Sequence, residues 1–218
     1  VWPALTELLD AVYPRLCRLC EAPAPDGVAC GAHAWPVGRD RTRCGCCAAP
    51  LGRGLPDGFP CPDCRAHLPP FSRAVACADY RRDGVVRGWL LAFKHRGRRD
   101  LAEPLGHWLA ERLSAIEEPA CLVPIPLHPL RHLERGYDQA ALLARAAGRR
   151  LGWPVVPALV RTRATPYQGG IGAPARRANV HGAFALDRLA ARVLRRAGAR
   201  RVGVACLARA AGGVSSAR

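Results

Sequence analysis

Eight of the eleven cysteines lie between positions 17 and 64, and seven of them join His33 in four two-residue knuckles. The knuckles are Cys17 with Cys20, Cys30 with His33, Cys44 with Cys47, and Cys61 with Cys64. A gap of two residues lets both side chains of a tight turn face one ion, and two such turns complete a tetrahedral site. The eight ligands suffice for two zinc ions; one zinc and no metal are the alternatives. His33 is the least secure ligand, because a solitary histidine is often just a surface residue. No basic-then-apolar leader opens the sequence, so a disulfide framework is the weaker explanation and secretion is not expected. Closed four-ligand sites leave no coordination position for a substrate, so the metal is expected to be structural. Residues 1–64 hold few large apolar side chains, and metal is expected to stand in for a core. Spacing alone leaves the pairing of the knuckles open. Cys46 reads as a spare, and Cys77, Cys121 and Cys206 read as small buried residues in apolar stretches.

Beyond the knuckles, 218 residues leave room for one ordinary domain and a small one, and a hydrophobic fraction of 50% permits a packed core. No apolar run reaches the roughly 18 residues that a bilayer-crossing helix needs. The expectation is a cytoplasmic protein without membrane insertion. The first residue is Val and the chain has no Met, so a clipped start or a non-ATG start codon is expected. The net charge of +16 is unevenly spread. Residues 1–70 carry seven basic and seven acidic side chains, residues 71–118 nine and seven, and residues 119–218 seventeen and three. With 32 Arg, one Lys and 39 Ala, coding bias accounts for much of the excess but not for its position. A field of this sign over the C-terminal part would draw in a phosphate ligand or a polyanion such as single-stranded DNA.

Leu68-Pro69-Pro70 reads as a boundary, giving a metal module over 1–70 and a second domain over 71–218. Ala74–Tyr80 reads as a strand, Gly84–Phe93 as a short helix, and residues 101–116 as a longer one with Leu105, Trp108, Leu109 and Leu113 on one face. Cys121–Ile125 reads as a short buried strand. Asp138 is placed to cap a helix running to Leu151 with Ala141, Leu142, Ala144 and Ala146 inward. Residues 153–160 form a weak strand, 161–182 a long polar loop, Leu189–Ala197 a helix and Val202–Leu207 a strand. Strands alternating with helices predict an α/β fold with a mostly parallel sheet.

Three basic stretches are expected in loops. The first is 93–99, with Lys94, the chain's single lysine, whose compact ammonium differs from a planar guanidinium. The second runs from 124 to 139, from a strand end to a helix start. There His128, Arg131 and Arg135 would reinforce the anion preference of a helix N-terminus. The third spans 161–184 and carries Arg163, Arg176 and Arg177; a solvated basic loop is its plain alternative. Tyr137, Tyr167, Trp89, Trp108 and Trp153 are the aromatics that base stacking would need, although core burial is the better explanation for most of the tryptophans.

On these residues the chain resembles the ComF/GntX family. The likeness rests on the knuckles and on three segments: PPFSRAVACADYRRDGVVRGWLLAFKHRGRRDLAEPLG, LVPIPLHPLRHLERGYDQAALLARAAGRRLG and LVRTRATPYQGGIGAPARRANVHGAF. The last two are similar to the family's RGFNQ and RxTPxQxGLxxxxRxxNVxGAF, with Tyr137 and Asp138 in place of the usual Phe and Asn. The resemblance implies an N-terminal double zinc ribbon and a phosphoribosyltransferase-type domain. It also implies a role in competence and DNA uptake, with single-stranded DNA and uptake-machinery proteins as partners.

One departure concerns activity. Such proteins carry, after GAF, a strand ending in two acids and a TTGAT-like loop that together hold phosphoribosyl pyrophosphate (PRPP), with magnesium present only when that ligand is bound. Here Leu186 passes directly into Asp187, and about 20–25 residues, a strand and its loop, are absent by comparison. Three accounts stay open: a segment missing from the sequence, a deletion that left a non-catalytic relic, and a reclosed fold with a binding role. The expectations are accordingly a ComF-like protein impaired in PRPP binding, an active phosphoribosyltransferase if the segment exists, or a zinc-stabilised DNA- or protein-binding module. Lys94, His128, Arg131, Arg135, Arg163, Arg176 and Arg177 are the expected phosphate ligands.

Overall fold

The structure is a computed structural model, and it describes residues 8–9, 11–34, 42–51, 54–80, 84–116, 120–161, 194–195 and 198–209. In chain order the regular elements are α1 (Pro62–Ala66), β1 (Arg73–Asp79), α2 (Gly84–His95), α3 (Ala102–Leu113), α4 (Pro129–Arg135), α5 (Gln139–Leu151) and β2 (Gly203–Arg209). Short 3-10 turns cover Gly31–His33 and Arg99–Leu101. The result is a mixed α/β fold with a small parallel sheet and several helices.

β1 and β2 pair in parallel with Arg73 opposite Gly203 and Asp79 opposite Arg209. Just ahead of the ladder, Ser72 donates both its backbone N–H and its hydroxyl to the Val202 carbonyl, at 2.8 and 2.9 Å. Two parallel strands need a long crossover, and here the helices fill it. α2 turns Val86, Trp89, Leu90 and Phe93 inward, and α3 adds Leu105, Trp108, Leu109 and Leu113, all buried. These side chains, with Cys77, Ala78, Leu101, Tyr137 and Leu207, make the main core. Each large one contributes about 1.5–3 kcal/mol by leaving water.

α3 and α5 lie close because both present small residues at the crossing. A Cβ at Gly106 would collide with that of Ala146 and would sit 3.1 Å from the Ala147 nitrogen and 3.2 Å from the Leu143 carbonyl oxygen. Alanine is worth about 1 kcal/mol over glycine inside a helix. Overpacking against backbone that cannot yield costs about 1–3 kcal/mol. Gly106→Ala is therefore expected to destabilise the protein in urea unfolding despite its better propensity; a stabilised variant would show that the helices are free to separate.

The strand at Ala74–Tyr80, the helices at 84–93 and 101–116, and the strand at 202–207 are found within a few residues of their predicted bounds. Asp138 caps α5, its carboxylate accepting from the Ala141 N–H at 3.0 Å. Ala144 and Ala146 are buried there, while Ala141 and Leu142 are half-buried. Cys121–Ile125 differs from its prediction. It makes one parallel bridge, Leu122 to Val155, and is half-exposed, with Cys121 fully at the surface. Pro124, Pro126, Pro154 and Pro157 remove the donors that a longer ladder needs, so residues 153–160 also stay outside a sheet. The 124–139 stretch is not all loop: Pro129–Arg135 is helical, opened by proline in its first turn and closed by Gly136 at φ 71°. Of the predicted helix 189–197, Leu194 and Arg195 are described and helical. The 186–187 junction and the 162–182 part of the long loop lie outside the described residues. No helix among the described residues is long and apolar enough to cross a membrane.

Candidate metal centres and anion cleft

The first and third knuckles are built the same way. The Cys17 N–H donates to the Ala22 carbonyl and the Glu21 N–H to the Cys17 carbonyl; the Cys44 N–H donates to the Ala49 carbonyl and the Ala48 N–H to the Cys44 carbonyl. Glu21 and Ala48 occupy the same place in each turn and both take positive φ, 61° and 56°. Antiparallel bridges Leu16–Pro23 and Arg43–Pro50 close the two turns. This tight path brings both cysteines of each knuckle to one side.

Consecutive knuckles share a site. Cys17, Cys20, Cys30 and His33 form one cluster, and Cys44, Cys47, Cys61 and Cys64 the other, with the ligand atoms of each within 4.8 Å of one another. The separations fit zinc. With Zn–S near 2.3 Å and Zn–N near 2.0–2.1 Å, a tetrahedron has S···S edges of about 3.8 Å and S···N edges of about 3.5 Å. The Cys20 and Cys30 sulfurs are 3.7 Å apart and those of Cys47 and Cys61 3.8 Å. His33 Nδ1 is 3.6 Å from the Cys17 sulfur and 3.4 Å from that of Cys30. His33 is thus placed as a ligand through Nδ1, and Cys46 belongs to neither cluster. Burial alone would raise the Cys17 and Cys44 thiols, but backbone N–H groups outweigh it and bring both to about 6: Cys30, Leu19 and Cys20 for the first, Cys47, Cys61 and Cys46 for the second. Each cluster therefore holds one thiolate ready for a cation at neutral pH.

The two modules rest on different parts of the α/β body. In the first, the buried cluster among the described residues is Cys17, Ala24 and Cys30, which is too little apolar volume for a core. Its Ala29, with Leu19 and Val28, packs against the main core, and Trp89 of α2 donates its indole N–H to the His33 carbonyl at 3.2 Å. The second module packs Cys44, Cys47 and Cys64 against Phe71 and Val202, where β1 and β2 begin.

A cleft of about 350 Å³ opens at the end of α2. Lys94, His95 and Gly97 line one wall, and Arg131, Arg135 and Tyr137 the other, with Glu134 the single carboxylate. Arg131 already holds Glu134 at 2.8 Å. Arg135 donates to the Gln139 side-chain oxygen at 3.1 Å, and the Gln139 amide nitrogen is buried without a hydrogen-bond partner. Desolvation and then the Arg135 charge lower the Lys94 ammonium, which stays solvent-accessible. The same two causes, joined by Lys94, lower His95. Desolvation, then Arg131 and Arg135, lower Arg161. The site crowds positive charge that an anion would relieve. Tyr137 anchors the floor: its hydroxyl donates to the Phe93 carbonyl, and the Arg99 guanidinium lies 5.0 Å over its ring.

Three expected phosphate ligands, Lys94, Arg131 and Arg135, thus meet in one cleft. His128 is not on its lining; it caps α4, Nδ1 accepting from the Leu130 N–H at 3.3 Å. Arg163, Arg176 and Arg177 lie outside the described residues. Trp89, Trp108 and Tyr137 are buried and offer no face to a base, Trp153 is half-buried, and Tyr167 lies outside the described residues. Cys77 is buried, and burial pushes its thiol up; Cys206 is half-buried. Gln139 and Arg99 were not singled out from sequence. Gln139, directly after the helix cap at Asp138, was the legible one.

No family model matches the chain, and no solved structure does. Among curated proteins it is 32% identical over 184 residues to DNA utilization protein YhgH of Escherichia coli O157:H7, covering 80% of this chain and 78% of that protein. The protein of the same name from Salmonella typhi is 30% identical over 185 residues, with the same coverage. Competence protein F of Haemophilus influenzae is 37% identical over 78 residues, 35% of this chain and 34% of the relative.

Proposed function

The chain belongs to the ComF/YhgH family, and on that footing we propose that it is a zinc-carrying accessory protein of DNA utilisation that binds a phosphate or pyrophosphate group in the cleft at Lys94. One observation carries the reading: Lys94 at the end of α2 and Arg131 and Arg135 on α4 converge on a small cleft whose one carboxylate is already paired. Charge-assisted hydrogen bonds from such a set suit a compact polyanion. The α/β body is of the phosphoribosyltransferase type in this reading, with the metal module over residues 1–70 and the cleft at the pyrophosphate end of a PRPP site. Both clusters hold structural zinc, supported by their tetrahedral spacing. Magnesium enters only with PRPP. The relatives' names support DNA-uptake proteins as the partner class. Single-stranded DNA, if bound, is held by phosphate contacts and not by stacking on Trp89, Trp108 or Tyr137, which are buried.

Binding is expected to outlast chemistry, because the sequence passes from Leu186 to Asp187 without the acids and the Thr/Gly-rich loop that hold the ribose phosphate. The test is calorimetry on the zinc-loaded full chain with inorganic pyrophosphate and with PRPP. Wild type binds pyrophosphate, and Arg135→Gln weakens it by about tenfold or more, as expected for a lost charged hydrogen bond. No pyrophosphate binding, or an unaffected Arg135→Gln, would overturn the cleft assignment. Rapid PRPP-dependent transfer would overturn the expectation of weak chemistry.

A further inference from the structure

We propose that the first metal module and the anion cleft form one cooperative unit, in which metal at Cys17, Cys20, Cys30 and His33 and an anion beside Lys94 strengthen each other's binding through Arg18 and Trp89. The inference rests on the reading of the cleft as an anion site.

The near wall of the cleft is the last turn of α2 and the turn after it, where Gly97 takes φ 68°. Contacts from outside hold this stretch in place. Trp89, upstream on the same helix and fully buried, donates to the carbonyl of His33, itself a ligand of the first cluster. Arg18 sits between the ligands Cys17 and Cys20. It donates one guanidinium N–H to the Asp100 carbonyl at 2.6 Å, and the Asp100 carboxylate is 3.9 Å away. Its Nε is braced on the Gly27 carbonyl at 3.3 Å. Asp100 in turn grips Arg98 through both carboxylate oxygens, at 2.9 and 2.8 Å. Next to it, Arg99 crosses to the far wall and donates to the Gly136 carbonyl at 2.6 Å.

Two short chains of contact therefore run from the ligand set to the cleft: His33 to Trp89 along α2 to Lys94, and the first knuckle through Arg18 to Asp100 and Arg99. Among its described residues the module's own buried cluster is Cys17, Ala24 and Cys30, with Ala29 turned into the main core, so the knuckle has little besides metal to keep it closed. Loss of the ion releases the near wall, and an anion that draws the walls together holds the knuckle shut. Coupling of this kind is reciprocal. The second module meets Phe71 and Val202 instead, so it supplies an internal control.

The experiment uses the full chain loaded with cadmium, which gives separate NMR resonances for a site of three thiolates and an imidazole and for one of four thiolates. Titration with inorganic pyrophosphate is expected to shift the first resonance and leave the second in place. With zinc-loaded protein, Arg18→Ala is expected to weaken pyrophosphate binding about 5- to 10-fold, and Arg18→Lys to recover part of that. Arg43→Ala, which removes the same charge from the second module, should stay within about twofold of wild type. In Arg18→Ala the pyrophosphate-induced shift disappears. If wild type binds no pyrophosphate, the cleft assignment fails and this proposal with it. If it binds but Arg18→Ala is unchanged, or if both resonances or neither respond, the coupling alone is overturned. Should Arg18→Ala not fold, the two wild-type resonances still decide.

Discussion

Cys64→Ala is expected to lose one metal ion per chain and to lower the melting midpoint by about 10 °C or more. Cys64 is a buried ligand on α1, in a cluster that also packs Phe71 and Val202 at the mouth of the β1–β2 ladder. Structural zinc contributes roughly 10–16 kcal/mol of apparent binding free energy in small zinc domains. Whole domains are stable by only about 5–15 kcal/mol. Half of the metal contribution, about 5–8 kcal/mol, spread over a chain of this size at about 2–4 °C per kcal/mol, gives the predicted shift. Metal analysis and a thermal melt measure both halves of the prediction. Hydrogen exchange at Ser72, the residue bonded to Val202, should quicken together with the loss of metal. A variant that keeps both ions and melts like wild type would remove the second cluster from the account of stability.

Trp89→Ala carries the largest core penalty. The side chain is fully buried, packed with Phe93, Leu101 and Leu105. Truncating a tryptophan in such a setting costs about 3–5 kcal/mol. The His33 carbonyl also loses its donor, which adds about 1–3 kcal/mol unless water reaches it. Trp89→Phe separates the two effects: it keeps most of the packing and removes the hydrogen bond. Urea unfolding should rank the alanine variant far below the phenylalanine variant, and that one below wild type. Equal stability of Trp89→Phe and wild type would mean that the indole contact to the first module adds nothing.

The candidate ligands were readable from the chain because coordination demands a spacing in the sequence, and two clusters able to hold a metal gather all eight named residues. Their grouping was not readable. Consecutive and interleaved knuckles share one sequence, and the choice depends on where the chain runs between Cys20 and Cys30 and between Cys47 and Cys61. Lys94, Arg131 and Arg135 were singled out by charge and position and line one cleft, although all three stand on helices rather than in loops, Lys94 in the last turn of α2 and the two arginines on α4. The signal for α4 was present: His128 as cap, Pro129 in the first turn and Gly136 after the last. The surrounding basic residues obscured it. The Cys121–Ile125 strand was overcalled because apolar character alone does not supply backbone donors, and the prolines remove them. Burial of Tyr137 was hidden by its place among charged residues; the Phe93 carbonyl and ring and Arg99, distant in sequence, fix it.

Each rung between β1 and β2 joins residues 130 positions apart, as the flanking Ser72–Val202 contact also does. A ribosome adding about 5–20 residues per second spends some 7–26 s between the two strands. Through that interval β1 is an open edge on the nascent chain, while both knuckle pairs, complete by residue 64, are free to take up metal. A chain made without metal would carry that exposed edge beside an open second module for the whole interval, which is when it is most prone to aggregate. The amount of intact protein should follow zinc supply during synthesis more closely than zinc supply afterwards.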